Sequence, residues 1–310
     1  MTFDMETIRI AVATISLALA LVLIARRLEK SFPIEPNQPR AEVWLDYKLV
    51  AASVLIPYVL SSATAFSSSA ILSAAGGGFF HLRADGWWLA PSLVVYILAA
   101  DLYRYWMHRL SHMIPALWQI HSFHHSAEAV TFVTGARHHW LDRVLNDAFF
   151  PFFPIVFQTP PEIVLIGNFI YFLPDGCAHL NVKFSLGRFV MWINSPQYHR
   201  IHHSTQPEHF NKNFAPLLPL WDIVFGTAWR PAKDEFPSTG LAGGEKPRTV
   251  WEGVVWPFRI LFRSKTSERQ SAFRSVDWAT SNALVCVTAR DGAAAGADAG
   301  EPSARRGNGP

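Results

Sequence analysis

Three short histidine words constrain this chain more than any other feature: His108-x3-His112, His121-x2-His124-His125 and His199-x2-His202-His203. Residues three or four apart share one face of an α-helix, so each word predicts a helical turn that presents imidazoles together. Neighbours in sequence, such as His124 and His125, diverge by about 100° on a helix and tend to serve different ions. Eight of the 13 histidines sit in these words. Imidazole is the commonest protein ligand for transition metals. Eight exceed what one mononuclear site uses, so the arithmetic points to two metals.

The words lie between long apolar stretches. Half of the 310 residues are hydrophobic and only 16% are charged, against roughly 25% in an ordinary soluble domain. The composition predicts a membrane protein. The net charge of +3 is scattered, with no basic stripe, which argues against nucleic acid as a partner. Cys177 and Cys286 form no CxxC motif, which argues against a thiolate zinc site.

Ile8–Ile24 is an apolar run interrupted by Arg9 and followed by Arg26, Arg27 and Lys30. A cleavable signal carries its positive charge before the apolar run; here the order is reversed. The run predicts a membrane-spanning helix with its C-terminal end in the cytoplasm. Leu49–Leu72 predicts a second span, and Trp87 to about Tyr105 a third. Val144–Leu173, broken at Gln158-Thr159-Pro160-Pro161, predicts a hairpin that enters and returns. On this parity all three histidine words face one compartment, the cytoplasm. Trp251–Phe262 predicts an amphipathic surface helix, and residues from about 264 a disordered tail. The expected organisation is an N-terminal span and linker over 1–46, a membrane and histidine domain over 47–230, a peripheral segment over 231–263 and the tail over 264–310.

The words contain no Asp or Glu, so the HExxH logic of a zinc hydrolase is missing. Histidine-rich ligation beside a membrane fits an oxygen-activating di-iron centre better. Asp101 and Asp175 are the candidate carboxylates to orient ligating imidazoles from behind; Asp222 is expected to pin a turn. His81 and His209 read as structural.

In this order the words resemble those of the fatty acid hydroxylase and sterol desaturase superfamily of integral membrane di-iron enzymes. Arg137-His138-His139-Trp140-Leu141-Asp142 is similar to that family's Arg-x-His-Pro-x-acid segment, with Trp140 in place of the proline. Ala178-His179-Leu180-Asn181 is similar to its later lone histidine. Trp221-Asp222-Ile223-Val224-Phe225-Gly226-Thr227 is similar to its Trp-Asp-x-x-Phe-Gly-Thr ending. The resemblance covers roughly residues 90 to 230. It implies an all-α integral membrane bundle of about four transmembrane helices, with a cytosolic helical cap holding a dimetal site. It also implies ten ligands: His108, His112, His121, His124, His125, His139, His179, His199, His202 and His203, with His138 the alternative to His139. The metals expected are two iron ions, zinc being a possible substitute in purified protein.

The expected activity is oxygen-dependent hydroxylation or desaturation of a fatty acyl, sterol or related membrane lipid. The alternatives are a membrane zinc hydrolase of lipid esters or amides and, third, a metal carrier. O2 is the expected co-substrate. An external donor, a ferredoxin or a cytochrome b5-like protein with its reductase, is expected to supply electrons. The expected place is the cell's inner (plasma) membrane.

Overall fold

The computed structural model describes residues 5–53, 55, 79–149 and 156–263. Residues 1–259 form one compact unit, and Ile260–Pro310 group separately. The first unit is mostly helical, with long irregular segments between the helices. Helix α1 spans Met5–Ser31, and α2 spans 40–53. Then come α3 Leu89–Met113, α4 Pro115–His125 and α5 Trp140–Phe149. They are followed by α6 Pro161–Ala178, α7 Pro196–His202, α8 Leu220–Val224, α9 Val250–Val254 and α10 Trp256–Arg263. The two short strands described, β1 Phe80–His81 and β2 Phe157–Gln158, pair in parallel.

That strand pair sets the direction of the two helices that follow it. α3 and α6 both start at the strand end and run side by side. Gly167 lets them touch: a Cβ there would lie 2.3 Å from Cε1 of Tyr96. Two residues pairs farther along confirm the register. Tyr171 donates its hydroxyl to Ile97 O at 2.5 Å, and the Arg104 guanidinium lies 4.7 Å from the Tyr171 ring centroid. Tyr96, Ala100, Ile163, Tyr171 and Leu217 form the buried cluster between them. Two parallel helices therefore deliver His108 and His112 at the end of one, and His179 just past the end of the other, to the same level.

The end of α1 reaches that level too. Glu29 is buried, pairs with Arg26 at 2.8 Å, and accepts from Phe132 N at 2.8 Å and Asn181 N at 3.3 Å. Lys183 N donates to Phe32 O at 2.8 Å.

One helix among the described residues, Gly86–Met113, is long and apolar enough to cross a membrane. Trp88 and Trp106 lie 18 positions apart on it, about 27 Å at 1.5 Å per residue, close to the roughly 30 Å of hydrocarbon. Leu23 and Ile24 of α1, Val94 and Val95 of α3, and Leu165 and Phe169 of α6 are exposed, leaving apolar faces around the bundle. Among the described residues Gly86–Met113 is the one span found, against the expected count of about four. Most of Leu49–Leu72, residues 150–155 within the predicted hairpin, and the tail from 264 lie outside the described residues.

The single amphipathic helix expected over Trp251–Phe262 is instead two short helices broken at Val255. They dock on the histidine layer: Trp256 is buried and donates Nε1–H to Ser122 Oγ at 3.0 Å.

Candidate metal centre

The first histidine word closes the long helix α3, and the other two lie on short helices with their own start signals. Pro115 opens α4 in the first turn, where its missing N–H costs nothing. Ser195 caps α7 by accepting from Tyr198 N, with Pro196 in the first turn. These short helices turn the words into rigid forks.

The forks interlock into two adjoining nitrogen clusters. His108, His112, His121, His125 and His202 each bring one ring nitrogen within 4.8 Å of all the others. His124, His179, His199 and His203 do the same. The adjacent pairs are split between them, His125 and His202 to the first and His124 and His203 to the second. The rings of His124 and His125 cross at 90°, and those of His202 and His203 at 89°. The helical turn thus lets one HxxHH word serve both clusters. His125 and His203 stack at 4.4 Å where the clusters meet.

Behind the rings, backbone carbonyls fix the tautomers. His108 Nδ1–H donates to Phe214 O at 2.8 Å and His202 Nδ1–H to Lys212 O at 2.9 Å. In the second cluster His179 Nδ1–H donates to Asp175 O at 2.8 Å and His124 Nδ1–H to Arg137 O at 3.3 Å. A neutral imidazole that donates from Nδ1 carries a bare lone pair at Nε2. Those lone pairs converge. His124 Nε2 and His179 Nε2 are 3.2 Å apart, and His199 Nε2 and His179 Nε2 3.0 Å. Nε2 of His108, of His121 and of His202 is buried without a hydrogen-bond partner. Converging lone pairs repel unless a cation lies among them. The spacing matches the edge of a coordination polyhedron with metal–nitrogen bonds of about 2.1 Å, which is about 3.0–3.4 Å. The donor set therefore fits metal ions.

Burial, reinforced by neighbouring imidazoles, holds His124, His125, His199 and His203 well below the ordinary histidine range. Burial likewise brings His202 down to about 3, against the opposing pull of the Lys212 carbonyl. The imidazoles are thus neutral at physiological pH, the form that binds metal. Asp142 is the carboxylate of the site. It accepts from His138 Nδ1 at 2.8 Å and lies 3.8 Å from His121 Nδ1. Burial alone would raise its carboxyl, but the His121 and His138 rings beside it hold it well below the usual carboxylate range.

His139 stands apart from both clusters. Its Nε2 bonds Val254 O at 2.9 Å and its Nδ1 accepts from Leu141 N at 3.2 Å, so both nitrogens are engaged with backbone. His138 instead lies against the site, stacked on His124 at 4.6 Å. Asp101 does not reach an imidazole. Its two oxygens accept from Leu217 N at 3.1 Å and Leu218 N at 3.0 Å. Asp175 serves His179 through its backbone carbonyl, its carboxylate being 3.9 Å from Nδ1. His209 bonds Ser204 Oγ and Glu235 Oε1, away from the clusters, and His81 lies exposed in β1.

The supports behind the rings come from tertiary structure, and of these sequence reading anticipates Asp222 as a turn anchor but not the rest. Asn211 and Asn213 take positive φ of 59° and 57°, a conformation that Asn tolerates better than most residues. Their turn presents the Lys212 and Phe214 carbonyls to His202 and His108. Asp222 holds the same turn: it accepts from Phe214 N and Ala215 N at 2.8 Å each, from Tyr198 hydroxyl at 3.0 Å and from Thr227 hydroxyl at 2.6 Å. This gives the Trp-Asp-x-x-Phe-Gly-Thr stretch a physical role. Arg137, buried and paired with Asp46 at 2.9 Å, holds the other side by donating to His124 O and Ser126 Oγ.

Residues 93–227 match the family model described as fatty acid hydroxylase, and that stretch contains every histidine of both clusters. The chain carries a fatty acid hydroxylase domain over these residues. The chain is 31% identical to the alkylglycerol monooxygenase of Danio rerio over 176 residues, 57% of this chain and 36% of that protein. It is 28% identical to the ornithine lipid hydroxylase OlsE of Rhizobium tropici over 164 residues, 53% of this chain and 49% of the relative. It is 24% identical over 143 residues to a very-long-chain aldehyde decarbonylase of Oryza sativa subsp. japonica, 45% of this chain and 46% of that one. The chain thus spans less than half the length of these curated relatives. No solved structure matches it.

Proposed function

We propose that this chain, through its fatty acid hydroxylase domain, is an oxygen-dependent lipid hydroxylase with two iron ions. The observation that carries the reading is the pair of adjoining all-imidazole clusters in which His108, His202, His124 and His179 donate from Nδ1 to backbone carbonyls and so turn an unprotonated Nε2 inward. His108, His112, His121, His125 and His202 would hold one ion, and His124, His179, His199 and His203 the other. The pair of irons supplies activation of O2 toward an aliphatic C–H bond. The overall change is RH + O2 + 2e⁻ + 2H⁺ → ROH + H2O. The electrons come from an external ferredoxin or cytochrome b5-like donor. Hydroxylation takes precedence over desaturation because the relatives include a monooxygenase and a hydroxylase by name.

The chain's own residues set the conditions. Carbonyls of Phe214, Lys212, Arg137 and Asp175 aim the imidazoles, and rigid aim is what a first ligand shell requires. Asp142 steadies His121 from behind while His138 holds Asp142; His138 is a positioning residue in this reading, and His139 belongs to the docking of α9. Phe214 lines the first cluster, 5.0 Å from the His112 ring and 5.5 Å from that of His202, and keeps water from it. A zinc hydrolase needs a free carboxylate base beside the metal; Asp142 is committed to two imidazoles. The apolar faces of α1, α3 and α6 support a membrane setting; in this reading the clusters lie at its cytoplasmic side.

Lipid extracts from cells with and without the protein, compared by mass spectrometry, test this. The expected result is a lipid heavier by one oxygen atom, labelled from heavy-oxygen gas and absent without O2. Turnover that persists under argon in the zinc-loaded protein refutes the assignment.

A further inference from the structure

We propose that residues 214–224 form a re-entrant segment that dips from the histidine layer into the bilayer beside α3, with Leu220, Ile223 and Val224 in contact with lipid acyl chains. The inference rests on the membrane reading above and adds a second point of entry into the lipid.

The depth comes from α3. Asp101 lies five positions before Trp106, about 7 Å further toward the middle of the span. It is fully buried, and it bonds the backbone of Leu217 and Leu218. Leu217 is also part of the buried cluster with Tyr96, Ala100, Ile163 and Tyr171, between the long helices. Residues 217–218 therefore sit below the Trp106 level, within the hydrocarbon slab. The chain climbs back through α8 to Phe225, which packs on Trp106 at 5.0 Å.

Irregular backbone at this depth is tolerated only where its polar groups are satisfied. From Phe214 to Pro219 every backbone N–H is bonded or missing. Asp222 takes those of Phe214 and Ala215, Asp101 those of Leu217 and Leu218, and Pro216 and Pro219 have none. Asn194 ties the segment from the side, with N to Leu217 O at 2.8 Å and Nδ2 to Pro216 O at 3.1 Å. This also explains an aspartate inside a membrane helix, where ionisable residues are rare and have a task.

The polarity of α8 is inverted. Asp222 is 0% exposed, whereas Leu220, Ile223 and Val224, at i, i+3 and i+4, are 43, 53 and 58% exposed. Trp192 and Ile193, next to Asn194, extend this outward apolar surface. A face that turns its aspartate inward and its aliphatics outward, at this level along α3, fits acyl chains.

The test uses the full chain in lipid vesicles, with Cys177→Ala and Cys286→Ala as background. Spin labels go at Ile223→Cys, at Leu98→Cys on the exposed side of α3, and at Glu208→Cys on the exposed turn after α7. Collisions with O2 and with a water-soluble nickel complex report depth. The expected result is that labels at 223 and 98 both collide with O2 and are shielded from nickel, while 208 meets nickel freely. Nickel access at 223 equal to that at 208, with 98 shielded, overturns the re-entrant segment and leaves the membrane reading standing. Nickel access at 98 overturns the membrane reading itself. A 223 label broadened by a second label nearby means another copy covers α8 and also overturns the proposal.

Discussion

His203→Ala is expected to remove about half of the bound metal and to take lipid oxidation below detection, while the protein still inserts and folds. His203 belongs to the second cluster, where its Nε2 lies 3.2 Å from those of both His199 and His179. Losing it opens one corner of a four-histidine set, so that ion dissociates. Changes that merely disturb the support of a ligand already cost 10–100-fold in affinity. His202→Ala, one residue earlier, opens the first cluster and gives the same loss of activity from the other ion. Elemental analysis of the purified variants checks both. His209→Ala is the contrasting case: that ring lies outside both clusters, and metal content is expected to stay at the wild-type level.

Asp222→Ala is expected to damage the fold more than any single histidine change. The carboxylate accepts from two buried backbone N–H groups and two buried hydroxyls. Each donor left unsatisfied costs about 1–3 kcal/mol. Four together approach the whole stability of a typical domain, about 5–15 kcal/mol. The turn of residues 211–215 would lose its anchor, and with it the carbonyls that aim His108 and His202. Thermal unfolding in detergent should show a drop of many degrees in Asp222→Ala. Asp222→Asn, which keeps one oxygen acceptor, should recover part of that drop. A Tm for Asp222→Ala within a degree or two of wild type would show that the turn stands without it.

The histidine words were legible because their information is local. Spacing of three or four on a helix fixes which imidazoles share a face, and adjacency fixes which diverge. The division of His124 from His125, and of His202 from His203, follows from 3.6 residues per turn alone. Asp222 as a turn anchor was legible for a related reason, since a short polar side chain before a Gly-Thr turn has few other uses. Asp101 was not. An aspartate about two turns before a histidine can reach an imidazole or the backbone of a neighbouring segment, and only the approach of Leu217 and Leu218 decides it. The turning of His139 to the backbone was equally hidden, because it depends on Val254, more than a hundred residues away in sequence. The carbonyls behind the rings carry no sequence signal, since every residue has one. The break at Val255 was invisible to periodicity because Trp256 is needed against Ser122, not against lipid.

The central claim is that two separate ions lie among these imidazoles. Anomalous diffraction at the iron edge, from crystals of the iron-loaded chain, tests it most directly. Two peaks are predicted, one among the Nε2 atoms of His108, His112, His121, His125 and His202, the other among those of His124, His179, His199 and His203. A single peak, or none inside either cluster, would contradict it.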